Sequence, residues 1–380
     1  MGCQMEYTLN KNKNKGSVGK RITLFFVTIV IVLFIPLYTL IKMIGKSVNS
    51  NFLNFEKYKS KNFILDYIVS SWLSDKDKAQ SNRIFVFFLF PALFTFILFV
   101  FVPFVQGLYL SMTDWDGLNT GRENFVGLLN YQSIFSDIRF LFSFSRTIVY
   151  SILNIVVINL VAFLLALLVT QNLKLKNIYR AGFFMPNLIG GLVLGYIWQF
   201  IFNKAFVTFG GAFATSLLTN GNTALFALIG VVTWQYAGYI MMIYIAAIQN
   251  IPQDLVEAST IDGANAFQRL RTITLPLVAQ AFTVAMFLTL VTSFKQFDTV
   301  VSLTQGGPAT LMPQWFADLF GVDSNVAVQS TSLVAMNIYN TAFQNYELGI
   351  GQSKAIVFFI FLLIISLLQV YFNKRKEIEL

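Results

Sequence analysis

Apolar runs of 20 residues or more recur along the chain, at 22–44, 84–110, 146–170, 181–203, 224–249, 273–298 and 353–372. About 20 such residues in helical form cross the hydrocarbon of a bilayer. Hydrocarbon offers no water to a peptide group, so each run must close its own hydrogen bonds as a helix. Composition agrees: of 380 residues 56% are hydrophobic and 12% charged, and mean hydropathy is +0.65. A soluble chain has no core large enough to hide that surface. The expected fold class is therefore an all-α polytopic membrane protein in the cell membrane.

Several chemistries are excluded at once. The chain has no histidine and one cysteine, Cys3. Histidine bases, Ser–His–Asp triads, disulfide frameworks and Cys-rich metal sites are all absent. No cofactor, metal ligand set or catalytic residue is expected. The net charge of +9 reads as basic cytoplasmic loops rather than a nucleic-acid surface. The loop at 171–180 carries Lys174, Lys176 and Arg180 and no acid, and the tail carries Lys374, Arg375 and Lys376. Both belong on the cytoplasmic side by the positive-inside rule.

The run at 22–44 is too long for a secretory leader and is read as a span. Within the Lys-rich 45–83, the stretch 63–73 is too short to cross and suits the interface. Counting spans back from 171–180 puts the N-terminus outside, with five Lys and Arg before the first span and seven after it. A re-entrant 63–73 would reverse that. Residues 1–83 thus form an N-terminal extension and 84–380 the main transmembrane domain. Pro91 and Pro103 are expected to break the span at 84–110. Residues 111–144 read as a loop. The pair Gly191 and Gly195 permits close helix approach. The long polar segment 299–352 should hold a half-buried helix near 330–346.

One polar stretch, Ile251–Pro276, interrupts the apolar pattern. Pro252 and Asp254 suit a helix N-terminus. Leu255, Ala258 and Ile261 recur at helical spacing with Glu257 and Asp262 among them. Gly263 allows a bend, and Phe267, Leu270, Arg269 and Arg271 continue beyond it. Such a helix–bend–helix between two spans is suited to docking on something outside the bilayer. The even number of spans at 181–203 and 224–249 places it on the cytoplasmic side with 171–180.

These residues resemble the EAA loop of the membrane subunits of binding-protein-dependent ABC importers. Glu257-Ala258-Ser259, then Gly263, then Ile273, Leu275 and Pro276 fall at that pattern's distances, with Ser259 in place of the third alanine. Other segments resemble the sugar class of these permeases: Leu110–Trp115, Phe125–Leu128 with Asn130-Tyr131, Leu303–Pro308, and Tyr339 with Ala342-Phe343. The likeness covers 84–372; residues 1–83 and the insertion at 309–329 depart from it. It implies a six-span permease core plus one extra N-terminal span. It also implies a second permease subunit, a cytoplasmic ATPase dimer and an extracytoplasmic solute-binding protein, with lipid around the spans and no nucleic acid. Loops 111–144 and 299–352 would face the binding protein. No G-x-x-x-x-G-K-[ST] run is present, so ATP hydrolysis would belong to the partner. Leu255, Glu257, Ala258, Ile261, Asp262, Gly263 and Phe267 would form the coupling surface.

A sugar path wants hydrogen-bonding side chains beside aromatic faces at membrane depth, where polar groups are costly against lipid. Trp234, Gln235, Tyr236 and Tyr239 cluster before the docking stretch, with Gln235 and Tyr239 four apart on one helix face. Thr292, Ser293, Lys295 and Gln296 cluster after it, with Lys295 near the outer surface. Asn154 and Asn159 add amides. The expected pathway set is Asn154, Gln235, Tyr236, Tyr239, Thr292, Ser293 and Gln296. A stand-alone secondary transporter or channel is the alternative. It would favour an internal repeat and membrane-depth acids; no repeat is visible, and such acids are few. A membrane enzyme fits worst.

Overall fold

The computed structural model describes Phe85 and residues 88–118, 123–171, 173–211 and 214–374. The expected span at 22–44 and the stretch 63–73 lie outside the described residues. The chain divides into two compact units, Met1–Gln106 and Gly107–Leu380. Among the described residues the first unit consists of most of helix α1, Phe88–Leu110. Pro91 and Pro103 do not break α1. The described part of α1 runs through Pro91 without a break. Pro103 has no N–H for the carbonyl one turn back. The ladder widens there into π geometry at Ile97–Phe101, with the Val102 N–H donating to the Ile97 carbonyl.

In the second unit, α2 (Leu129–Ser136) leads into α3 (Ile138–Val169). The expected loop 111–144 therefore ends early. Asp137 caps α3, its carboxylate accepting from the Arg139 and Phe140 N–H groups, and this starts the helix well before residue 146. The expected span at 181–203 is two helices, α4 (Lys176–Leu188) and α5 (Gly191–Thr208), bent by 97°. Pro186 opens a 3-10 turn at Met185–Leu188, and Ile189 and Gly190 are extended. The carbonyl of Ile189 is not lost at the break: the Gln235 amide donates to it at 3.0 Å.

Helix α6 (Gly221–Gln249) follows, capped by Asn220. It lies parallel to α3: Arg146 donates to Asn222 near the start of α6, and Asn159 accepts from the Tyr244 hydroxyl further along both helices. The docking stretch forms α7 (Gln253–Ile261) and α8 (Ala266–Leu277). The expected span 273–298 is also divided, since α8 and α9 (Ala279–Phe294) are bent by 69°. Pro276 interrupts the ladder, a π segment at Leu270–Thr274 precedes it, and the hinge residue Val278 is fully buried.

Beyond α9 come α10 (Asp298–Leu303), strand β1 (Ala309–Leu311), α11 (Gln314–Phe320) and strand β2 (Ala327–Gln329). The strands pair antiparallel, with Thr310 opposite Val328. The fold is thus mainly helical rather than wholly so, and this hairpin with its helix is what fills the insertion at 309–329. Helix α12 (Val334–Tyr339) runs on in π form through Asn340–Gln344, and α13 (Leu348–Lys374) closes the chain. α13 begins before the expected residue 353. Near its start Lys354, 3% exposed, is paired within the protein, donating to Asp137 at 2.7 Å, Thr341 at 2.8 Å and Asn337 at 3.1 Å.

Among the described residues, four helices are long and apolar enough to cross a membrane: α1, α3, α6 and α13, the last counted over Leu348–Asn373. The number rises to six if each bent pair is one span. The largest core joins α3, α6, α9 and α10 through Tyr150, Ile158, Leu228, Ile240, Ala285 and Leu303. Small residues let the backbones meet. A Cβ on Gly195 would stand 1.8 Å from the Ser302 hydroxyl of α10, and one on Gly238 equally close to the Phe183 carbonyl. The Gly191/Gly195 pair therefore does mark a helix contact. Gly238→Ala is expected to cost about 1–3 kcal/mol by overpacking. Gly230→Ala, whose Cβ would meet nothing within 4 Å, should not destabilise and should gain up to about 1 kcal/mol from helix propensity. Thermal unfolding of the two purified variants checks the contrast.

Candidate functional site

The docking segment is held by its own hydrogen bonds. Gly263 stands at φ +79°, a conformation that side chains resist. Its Cβ would meet nothing within 4 Å, so glycine is needed there for backbone shape, not for space within this chain. Around the bend the Ala264 N–H donates to Ser259 and the Gly263 N–H to Thr260. Asn265 and Gln268 form a reciprocal capping box at the start of α8. The Arg269 guanidinium donates to the Thr260 hydroxyl at 2.9 Å, tying α8 to α7. Ile251 and Leu270 pack on the main core and fix the segment to the bundle.

What this segment leaves open is apolar. Leu255, Val256, Ile261 and Phe267 are all exposed, Ile261 at 86% and Phe267 at 71%. Glu257, Ala258 and Asp262 are exposed among them. The Glu257 carboxylate accepts from Gln253 at 3.0 Å. The segment follows the C-terminal end of α6. Because α3 and α6 run parallel, that end also carries the loop after Val169.

The expected pathway residues divide into two groups. Asn154 of α3 donates to Ser293 of α9 at 2.8 Å, and both are fully buried. One turn further, Asn159 donates to the Thr289 hydroxyl at 2.9 Å and accepts from Tyr244 at 2.7 Å. These bonds join α3, α6 and α9. Thr289 and Tyr244 were missing from the expected set, although a hydroxyl within an apolar run is the signal that finds them. The second group lies on α6. Gln235 is buried and faces the α4/α5 break. Tyr236 is half-buried, and Trp234 and Tyr239 are exposed. Gln235 and Tyr239 thus differ in burial despite sharing a helix face. Thr292 bonds the Leu288 carbonyl of its own helix. Gln296 is buried and Lys295 exposed beyond the end of α9.

Several buried oxygens have no protein partner: Tyr150 Oη, Asn154 Oδ1, Thr233 Oγ1, Gln235 Oε1 and Thr299 Oγ1. They lie on α3, α6 and α10. Such groups leave hydrogen-bonding capacity in the bundle for a polar guest. At the opposite end from the docking segment, Asp114 accepts from the Asn124 side chain at 3.0 Å and from its N–H at 2.7 Å. These bonds, the side-chain one foremost, hold its carboxyl below the usual range.

Comparison with known proteins gives this geometry a family. Residues 158–378 match the family described as "Binding-protein-dependent transport system inner membrane component". The probable starch degradation products transport system permease protein AmyD of Thermoanaerobacterium thermosulfurigenes is 40% identical over 81% of this chain and all of its own length. The multiple sugar-binding transport system permease protein MsmF of Streptococcus mutans is 29% identical over 77% of this chain and 95% of its own. A solved bacterial ABC transporter involved in import of the acidic polysaccharide alginate has a chain with the same fold. Its TM-score is 0.64 at 18% identity, covering 79% of this chain and 98% of that one. The chain is a multi-pass membrane protein and belongs to the inner-membrane permease family of binding-protein-dependent ABC importers.

Proposed function

We propose that this chain is one permease subunit of an importer for sugars, oligosaccharides or related polyols, energised by a separate ATPase. The observation that carries the reading is the docking segment. It matches the EAA spacing, it is cross-braced by Arg269 and the Asn265–Gln268 box, and its exposed surface is apolar around one carboxylate. On this reading Leu255, Ile261 and Phe267 bury area in a cleft of the ATPase, and Ala258 permits close approach. Glu257 and Asp262 meet basic or hydrogen-bonding groups there. Gly263 sets the angle between the two helices. An even span count from the basic loop 171–180, with the bent pair α4/α5 counted as one span, would put this surface in the cytoplasm.

Transport would proceed by rigid-body rocking. The segment is continuous with α6 on one side and α9 on the other. Those helices carry Gln235, Tyr236 and Tyr239, and Thr292, Ser293 and Gln296. With Asn154 of α3, these residues would line the path shared with a second permease. Names of the relatives that speak of starch degradation products and multiple sugars support carbohydrate cargo. A solute-binding protein, implied by the family's description, would deliver that cargo to the outer loops. A six-span core is consistent with the four long helices and two bent pairs, and 22–44 would add a seventh span.

Glu257→Arg should reduce substrate-stimulated ATP hydrolysis and uptake by about ten-fold or more while the subunit still inserts, because it reverses charge at a packed contact. Wild-type uptake in reconstituted vesicles would refute the coupling role. Gln235→Ala and Gln296→Ala should each raise the half-saturating sugar concentration by about 5–20-fold, the loss of one or two hydrogen bonds. Uptake curves with a panel of labelled saccharides measure this, and unchanged affinity in both variants would remove the proposed path.

A further inference from the structure

The insertion at 309–329 lies within the outer loop 299–352, and one side of its helix is too apolar to be explained by a water-exposed loop. The hairpin and α11 enclose a small core of Met312, Phe316, Ala317 and Val328, which closes over Phe142 of α3. Phe142 and Phe316 meet edge to face at 5.4 Å. The position of that contact on α3 is informative. Phe142, Val149 and Val156 are seven residues apart and share one helix face, since seven residues make nearly two turns. Val149 is 42% exposed and Val156 58% exposed, whereas Phe142 under α11 is 2% exposed. Leu160, Leu164 and Leu168 continue the open stripe. In a membrane protein an open aliphatic stripe at this depth faces hydrocarbon. The insertion therefore sits on top of a lipid-facing stripe.

Depth follows from the same helix. α3 has 32 residues, or about 48 Å at 1.5 Å each, well beyond the ~30 Å of hydrocarbon. Its two cations, Arg139 and Arg146, lie in the half away from the docking end. From Arg146 to Val169 the helix runs about 35 Å, enough to span the hydrocarbon alone. Phe142 lies one turn beyond Arg146, at headgroup level, and the Arg146 guanidinium lies 5.5 Å from the Phe142 ring centroid. α11 packs at that level.

α11 itself has three sides. Phe316 and Ala317 face the protein. Trp315 and Leu319, four apart, are 61% and 70% exposed. Gln314 and Asp318, also four apart, are exposed on a third side and hydrogen-bond each other at 3.4 Å. A helix lying along a membrane surface needs one side for protein, one for acyl chains and one for water. Tryptophan is favoured at that boundary.

We infer that the 309–329 insertion is an interfacial foot whose Trp315 and Leu319 enter the boundary between headgroups and acyl chains of the outer leaflet. Its partner is phospholipid. The inference rests on membrane location and on the sidedness of the basic loops, not on the cargo. The foot steadies the outer end of α3 against the bilayer, beside the Asp137 cap and the Lys354 pairs.

The test uses the assembled importer in nanodiscs, with Cys3→Ser and a single new cysteine, Leu319→Cys, Trp315→Cys or Asp318→Cys, carrying an environment-sensitive fluorophore. Lipids bearing a nitroxide near the glycerol should quench positions 319 and 315 at least about two-fold more than position 318. Position 318 should remain open to a water-soluble quencher. Equal quenching at all three positions would overturn the inference. So would shielding of 319 that appears without lipid quenching, which would make this face a protein contact, whether to the binding protein or to a second permease. Transport by the unlabelled variants, unchanged from the Cys3→Ser parent, separates this result from any failure of the permease reading.

Discussion

Within hydrocarbon a polar atom has only the protein to bond with, and much of this structure follows from that. Helices close their own ladders, but every departure from a ladder needs repair. The break between α4 and α5 frees the Ile189 carbonyl, and Gln235 reaches across from α6 to supply a donor. Asn159 spends its amide on Thr289 and Ile155 and its carbonyl on Tyr244. Lys354 would be ruinous in an apolar helix if unpaired. It is tolerated because Asp137, Asn337 and Thr341 take its three protons. Asp137 uses its other oxygen to cap α3, so one carboxylate both starts a helix and anchors another.

The same constraint explains where the bundle can bend. Prolines and small residues are placed where a widened turn or a neighbouring side chain makes good the lost bond. Pro103 and Pro276 each follow a π segment, and only the second yields a sharp bend. The difference lies at Val278, which leaves helical geometry and is buried in the main core. Bent elements on both sides of the docking segment suit the proposed mechanism. In that proposal, a segment fixed to the bundle by Ile251 and Leu270 would move α6 and α9 together rather than flex between them.

The helical class, most of the span positions and the docking segment were legible in the residues. Apolar runs near 20 residues have few outcomes in a bilayer, and the exposed Leu255, Ile261 and Phe267 stand at a spacing that needs no tertiary knowledge. Ends and breaks were less legible. The loop expected up to 144 hides a capped helix start because Asp137 gains its value only with α3 folded behind it. The spans at 181–203 and 273–298 read as continuous because hydropathy does not register direction. The candidate path was half legible. Amides at Asn154 and Gln235 stand out by type, but Asn154 meeting Ser293, and Gln235 meeting a backbone carbonyl, depend on helix rotation and crossing.

Chemistry and order in the chain therefore determined that this protein crosses a membrane repeatedly and offers a polar knuckle between two crossings. They also determined that it carries neither a nucleotide loop nor histidine chemistry. These are local properties, set by composition and by spacing within a few turns. Tertiary structure alone decided which polar groups pair, where helices bend, and that the insertion lies over one end of an exposed aliphatic stripe on α3. Those outcomes rest on residues more than a hundred positions apart, such as Asn154 with Ser293 and Phe142 with Phe316. Their meeting depends on how whole helices pack, which no short window of sequence contains.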